Sequence, residues 1–226
     1  MACKFRTSQG DIVFVSDAPG SRSVLWISQD NGKTWRVSGV AIAGIHAGVV
    51  QLKDDRLMAF GCGNNIDGKM PRSISSDMGE TWTYSASTFP PIGGGQRLAL
   101  MRLEEGPLFF ASFTGSRKTP KYMSITDASS KDRLVPGLFA AVSFDEGETQ
   151  PHIRLVSDDG PGREVEKRWM GFSSAKPGGY LTACQSDDGL VHLISIVNNI
   201  MRLTWLGSRP FHQRSLNRRA DLSSSD

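Results

Sequence analysis

Four side chains in this sequence sit beside glycines or other small residues that leave room for a ligand. Together they offer a base, an acid, an anion clamp and a phenol. His46 lies in Gly44-Ile45-His46-Ala47-Gly48, and Asp67 in the polar run Asn64-Asn65-Ile66-Asp67-Gly68-Lys69. Arg97 directly follows Gly93-Gly94-Gly95-Gln96, and Tyr180 follows Gly178-Gly179. An arginine that neutralises a carboxylate, with a histidine or tyrosine to remove the proton beside it, suits a polysaccharide lyase acting on uronic acids. The competing readings are structural: His46 as a satisfied strand histidine, Arg97 as a surface ion-pair partner, Tyr180 as a core or rim tyrosine.

Other chemistries find little support. The four histidines, His46, His152, His192 and His212, fall singly, without an H-x-x-x-H pair or a cysteine at ligand spacing, so no metal site is expected. Cys3, Cys62 and Cys184 form no C-x-x-C pair and cannot all be bridged, which argues against a disulfide scaffold. There is no G-x-S-x-G elbow, and Cys62 in Gly61-Cys62-Gly63 has no evident base. The glycine-rich runs 61–68 and 93–95 are not followed by the Lys-Ser/Thr of a phosphate loop. No cofactor is implied.

The elements that must position these residues announce themselves as repeats. Ser28-Gln29-Asp30-Asn31-Gly32-Lys33-Thr34-Trp35 recurs as Ser75-Ser76-Asp77-Met78-Gly79-Glu80-Thr81-Trp82, and more weakly as Ser143-Phe144-Asp145-Glu146-Gly147-Glu148-Thr149-Gln150. In S-x-D-x-G-x-T-W the Asp accepts backbone N–H groups of a turn, Gly supplies the positive φ, and Trp pins the loop to a sheet. The expected role of Asp30, Gly32, Trp35, Asp77, Gly79, Trp82, Asp145 and Gly147 is therefore structural. A calcium loop would need further carboxylates. A second repeat, at 49–60, 98–110 and 181–194, reads as strand, tight acidic turn, strand. Interleaved, the two repeats give four-stranded units: three strands at each end of the chain and two complete units between them. Such units are blades of a β-propeller, here about four blades' worth and incomplete. Exposed blade edges would then favour self-association.

The chain has 226 residues, 38% hydrophobic and 22% charged, enough for a packed core. Its net charge is +3, part of it in residues 207–226, which carry Arg209, Arg214, Arg218 and Arg219. The body is near neutral, so no nucleic-acid partner is expected. The longest apolar run, 189–197, is broken by His192 and Ser195 and falls short of the roughly 18–20 residues of a membrane span. The opening residues lack the apolar stretch of a secretory leader, so export is not expected of the chain as it stands. The domain is expected to span 1–206, with a loop insertion at 116–135 and a disordered basic tail at 207–226.

The S-x-D-x-G-x-T-W segments resemble the Asp-box, or bacterial neuraminidase repeat, of the sialidase superfamily. Residues 49–60 resemble the strand pair upstream of a box in that family. Gly179-Tyr180 with Asp188-Gly189-Leu190-Val191-His192-Leu193 is similar to its closing blade. The resemblance runs from about residue 11 to 206. It implies a six-bladed propeller in which three arginines hold a sugar carboxylate, a Tyr polarised by a Glu is the nucleophile, and an Asp is the acid/base. On that footing Tyr180 takes the nucleophile position, Arg97 is the carboxylate-binding arginine, and Arg202, on a third strand, is a second candidate.

Departures from the family pattern are equally specific. The family's first arginine belongs to an F/Y-R-I-P segment, of which Phe5-Arg6-Thr7-Ser8 is a poor copy. His46 stands where many relatives have Glu, and Cys62 lies near where they have Arg. The resemblance implies a sialidase-like glycan-processing protein acting on terminal sialic acid or a related acidic sugar, with reduced or absent activity. A non-catalytic glycan-binding propeller and the uronate lyase are the alternatives. The partner in each case is an acidic glycan.

Overall fold

The computed structural model describes residues 4–115, 123–126, 131–135, 137–150, 152–156, 179–195, 200–206 and 209–215. Among them there is no helix, and nineteen strands form four sheets. Blade one holds β1 (Lys4–Arg6), β2 (Ile12–Ala18), β3 (Arg22–Ser28) and β4 (Arg36–Val37) in that order, with β5 (Ile42–Ala43) also paired to β3. Blade two runs β6 (Ile45–Gln51), β7 (Leu57–Cys62), β8 (Pro71–Ser75), β9 (Thr83–Ala86). Blade three contains β10 (Ala99–Arg102), β11 (Leu108–Phe113), β12 (Met123–Thr126), β13 (Asp132–Val135), β14 (Leu138–Ser143) and β15 (His152–Leu155). Its spatial order is β10-β11-β14-β15-β12-β13. Blade four runs β16 (Leu181–Gln185), β17 (Leu190–Ser195), β18 (Ile200–Leu206), β19 (Arg209–Ser215).

The acidic turns form as their residue types require. Asp55, with φ 66°, closes the β6–β7 hairpin where Gly106 (φ 104°) and Gly189 (φ 77°) close β10–β11 and β16–β17. Side chains alternate across each strand, so Val13, Val15, Leu25 and Ile27 of blade one are buried against Val49 and Ala59 of blade two. A larger core joins blades two to four. At its centre Phe89 lies 4.4 Å from Phe110 and 5.6 Å from Phe139, ring centre to centre, and Phe60 is 5.1 Å from Phe110. β6 packs against β2 and β10, and β10 against β16, so the sheets succeed one another around a common centre.

The three S-x-D-x-G-x-T turns share one hydrogen-bond scheme. Ser28 Oγ donates to Asp30 Oδ1 (2.9 Å) and accepts from Gly32 N (2.7 Å), while Thr34 donates N–H (2.8 Å) and O–H (2.6 Å) to Asp30. Ser75, Asp77, Gly79 and Thr81 repeat it, as do Ser143, Asp145, Gly147 and Thr149. The Thr hydroxyl bond, then the Thr N–H bond, draws each carboxyl down to about 2.

The second and third turns also latch onto the blade before them. A Cβ on Gly79 would lie 2.8 Å from Leu25 Cδ1, and one on Gly147 would lie 2.9 Å from Met58 Cε. Trp82, 8% exposed, donates its indole N–H to Val40 O at 3.2 Å. Trp35 departs from the expected pinning role. It is 42% exposed and donates to Gly32 O of its own turn.

Several elements differ from the sequence expectation. Blade one does have an opening strand, β1, paired through Lys4, Phe5 and Arg6 to Phe14, Val13 and Ile12. The 116–135 insertion carries the β12–β13 hairpin. Within the tail expected to be disordered, Arg209–Ser215 is β19, because its backbone completes the edge left open by β18. Residues 207–208 and 216–226 lie outside those described.

Candidate functional site

A cavity of about 820 Å³ opens among the inner strands of all four sheets. Lys4 and Asp17 reach it from blade one, His46 from blade two, Arg97 from the approach to β10, and Cys184 from β16.

His46 is placed by a kink at the start of β6. Pairing with β7 slips between Ile45 and Gly48, and His46 itself adopts φ 55°, left-handed backbone that histidine seldom takes. The kink needs close backbone contact: a Cβ on Gly61 would sit 2.0 Å from Ala43 O. Asp17 spans the kinked residue. Its Oδ1 accepts the His46 N–H at 2.8 Å, and its Oδ2 lies 2.7 Å from His46 Nδ1, out of line for a full hydrogen bond. The His46 side chain is largely buried.

Arg97 is set by the glycine loop. Gln96, buried, accepts from Gly93 N (2.7 Å) and donates to Gly115 O (2.9 Å), while Arg97 N donates to Gly179 O (3.1 Å). The Arg97 guanidinium carbon then stands 5.4 Å above the Tyr180 ring centre, a cation over an aromatic face. The His46 ring meets the same tyrosine edge-on, with ring centres 6.3 Å apart. Tyr180 is 40% exposed. Three of the sequence candidates, His46, Arg97 and Tyr180, are thus brought together.

Two others are not. Asp67 is the first residue of a tight turn whose flanking Ile66 and Lys69 exchange backbone hydrogen bonds of 3.0 and 2.9 Å. With φ 50° at Asp67 and 72° at Gly68, the loop folds back on itself, and Asp67 is exposed, apart from the cavity-lining residues. Arg202 lies on β18, paired with His192 and Arg214, and its side chain is outside the described residues. Cys62 is buried beneath the His46 kink, and burial pushes its thiol up to about 12, so it offers no thiolate. The carboxylate that does reach the cavity, Asp17, was missed from sequence. Its only signal was an acidic residue, after Ser16, near the end of a mostly apolar strand, Ile12–Ala18.

The cavity lining includes two cations, Lys4 and Arg97, and the Asp17–His46 pair, and the Tyr180 ring touches both Arg97 and His46. This arrangement can hold an anion against Arg97 and exchange a proton with His46.

No protein-family model matches the sequence, and no curated protein does. Solved structures are similar in fold. The intramolecular trans-sialidase from Ruminococcus gnavus, solved with oseltamivir carboxylate, aligns at TM-score 0.57 and 12% identity over 86% of this chain and 38% of its own. A point mutant of the NanB sialidase from Streptococcus pneumoniae aligns at 0.54 and 16% identity, over 87% of this chain and 28% of its own. Trypanosoma rangeli sialidase aligns at 0.51 and 15% identity, over 91% and 29%. This chain therefore spans less than two fifths of the length of these proteins. At such identities the likeness is one of architecture: the protein is an incomplete β-propeller of sialidase-like fold.

Proposed function

We propose that the protein is a sialidase-like glycan-processing protein that acts on terminal sialic acid or a related acidic sugar. The observation that carries this reading is the contact of Tyr180 with both Arg97 and His46, two residues that line the cavity of a sialidase-like fold. Arg97 holds the sugar carboxylate. The Tyr180 oxygen bonds to the anomeric carbon as the bond to the aglycone breaks, and His46 carries the phenolic proton to the departing oxygen. Water then releases the sugar from the tyrosine. A neutral phenol suits an anionic substrate because it is not repelled by the carboxylate. The three shared turns are read as the family's Asp-boxes, and Arg202 remains a second candidate anion contact by its place on the third strand of blade four. In this reading the propeller domain continues through β19.

The Asp17–His46 pair also favours a second reading, proton abstraction from a uronic acid whose carboxylate Arg97 neutralises. Release of a fluorophore from a sialoside supports the first reading. An ultraviolet-absorbing unsaturated product from acidic polysaccharide supports the second. Retention on a sialoglycan array without either product makes the protein a glycan-binding propeller, and absence of all three overturns the proposal.

A further inference from the structure

Asp17 makes two contacts with one residue, and together they say more than either alone. One carboxylate oxygen takes the His46 backbone N–H at 2.8 Å and the other stands 2.7 Å from Nδ1 of the ring. The approach is out of line for a full hydrogen bond, so its bias is electrostatic: at that distance a carboxylate oxygen repels an unprotonated ring nitrogen and attracts an N–H. The contact is favourable only if Nδ1 carries the proton. The other oxygen holds the backbone in the left-handed conformation that aims the ring (φ 55°). Tyr180 meets the ring at its edge, Arg97 lies over that tyrosine, Cys62 Sγ approaches His46 O at 3.9 Å, and the wall of the same cavity adds Lys4, Ser16, Thr182 and Cys184. Among these groups Asp17 is the one carboxylate, and it comes within 2.7 Å of Nδ1.

We infer that Asp17 is a positioning residue that fixes His46 as the Nδ1–H tautomer, leaving Nε2 as the unprotonated nitrogen that serves the cavity. Its consequence for turnover rests on the function proposed above; the tautomer and the backbone anchor do not. Asp17→Asn separates the two contacts. The amide oxygen still accepts the His46 N–H, while the amide nitrogen now faces Nδ1 and donates to it, which moves the ring proton to Nε2.

The test uses the full chain, labelled with ¹⁵N in its histidines, at pH 8, with the His46 signals assigned by their loss in His46→Gln. The expected result is an Nδ1–H pattern in the wild type, an Nε2–H pattern in Asp17→Asn, and return toward Nδ1–H in Asp17→Glu. Exchange of the His46 amide proton should stay slow in Asp17→Asn and become fast in Asp17→Ala. An Nε2–H pattern in the wild type overturns the inference, as does an unchanged pattern in a folded Asp17→Asn. If Asp17→Asn does not fold, the wild-type pattern decides alone. Where a glycan is turned over, Asp17→Asn should lower kcat by about 100-fold or more with KM within about threefold. Loss of the tautomer without any glycan turnover would leave both readings failed. The expected tautomer without turnover would leave the inference standing and the enzymatic function refuted.

Discussion

Gln150 donates its side-chain amide to Gly147 O at 3.0 Å, the bond that the Trp35 indole makes to Gly32 O at 3.2 Å. A residue with no aromatic ring thus closes the third turn in the same way as the tryptophan of the first. Thr88 of blade two then reaches Gln150 Oε1 at 3.0 Å, adding a tie that Trp35 does not make. Gln150→Ala removes both bonds on a partly buried side chain and is expected to cost about 1–2 kcal/mol, read from urea unfolding.

Asp30, Asp77 and Asp145 share a pH signature. Each has a folded value near 2 against an ordinary 3.8, so each stabilises the fold at any pH above about 4. That contribution is lost as pH falls from about 4 to 2, when the native carboxylates finally protonate. Calorimetry across this interval should show the melting temperature dropping, and the triple Asp→Asn protein should show a shallower drop. Equal slopes for the two proteins would exclude these turns as the source of acid lability.

Much of this framework is local, and for that reason legible in sequence. The turns and acidic hairpins depend on residues within a few positions of each other. Elements that depend on distant pairing were not. β19 is rich in polar and basic residues and lacks apolar alternation, as suits a sheet edge, and only its pairing with β18 reveals it. Asp17 lies 29 residues before its partner His46 and meets it only after the kink in β6 is made. Asp67 looked suitable by composition, yet Asp-Gly is also the sequence of a tight turn, and the turn prevailed.

Gly61→Ala should test how far the site depends on that kink. With the new methyl only 2.0 Å from Ala43 O, backbone must move, at an expected cost of about 1–3 kcal/mol. The histidine signals of His46 should shift along with the loss of stability. A stable variant with unchanged signals would show that the close approach does not set the ring.

Tyr180→Phe keeps the ring beneath Arg97 and removes only the hydroxyl. If Tyr180 is the nucleophile, sialoside turnover should fall by about 100-fold or more with substrate binding preserved, whereas Arg97→Ala should weaken binding and turnover together. Full activity in either variant refutes the assigned role.

Phe110→Ala opens the aromatic core shared by blades two and three and should cost about 3–5 kcal/mol. Because the rings of Phe60, Phe89 and Phe139 all adjoin it, unfolding of the two blades should remain a single transition at the lower midpoint.

The seats used by the second and third S-x-D-x-G-x-T turns give the molecule a direction. Glu80 pairs with Arg36, and Glu148 with Arg72 at 2.7 Å, each carboxylate reaching toward the amino-terminal side. Lys33 occupies the matching place in the first turn with the opposite charge. During synthesis every such clasp finds its receiving surface already made, so the sheets can be secured one after another as they emerge, without waiting for the end of the chain.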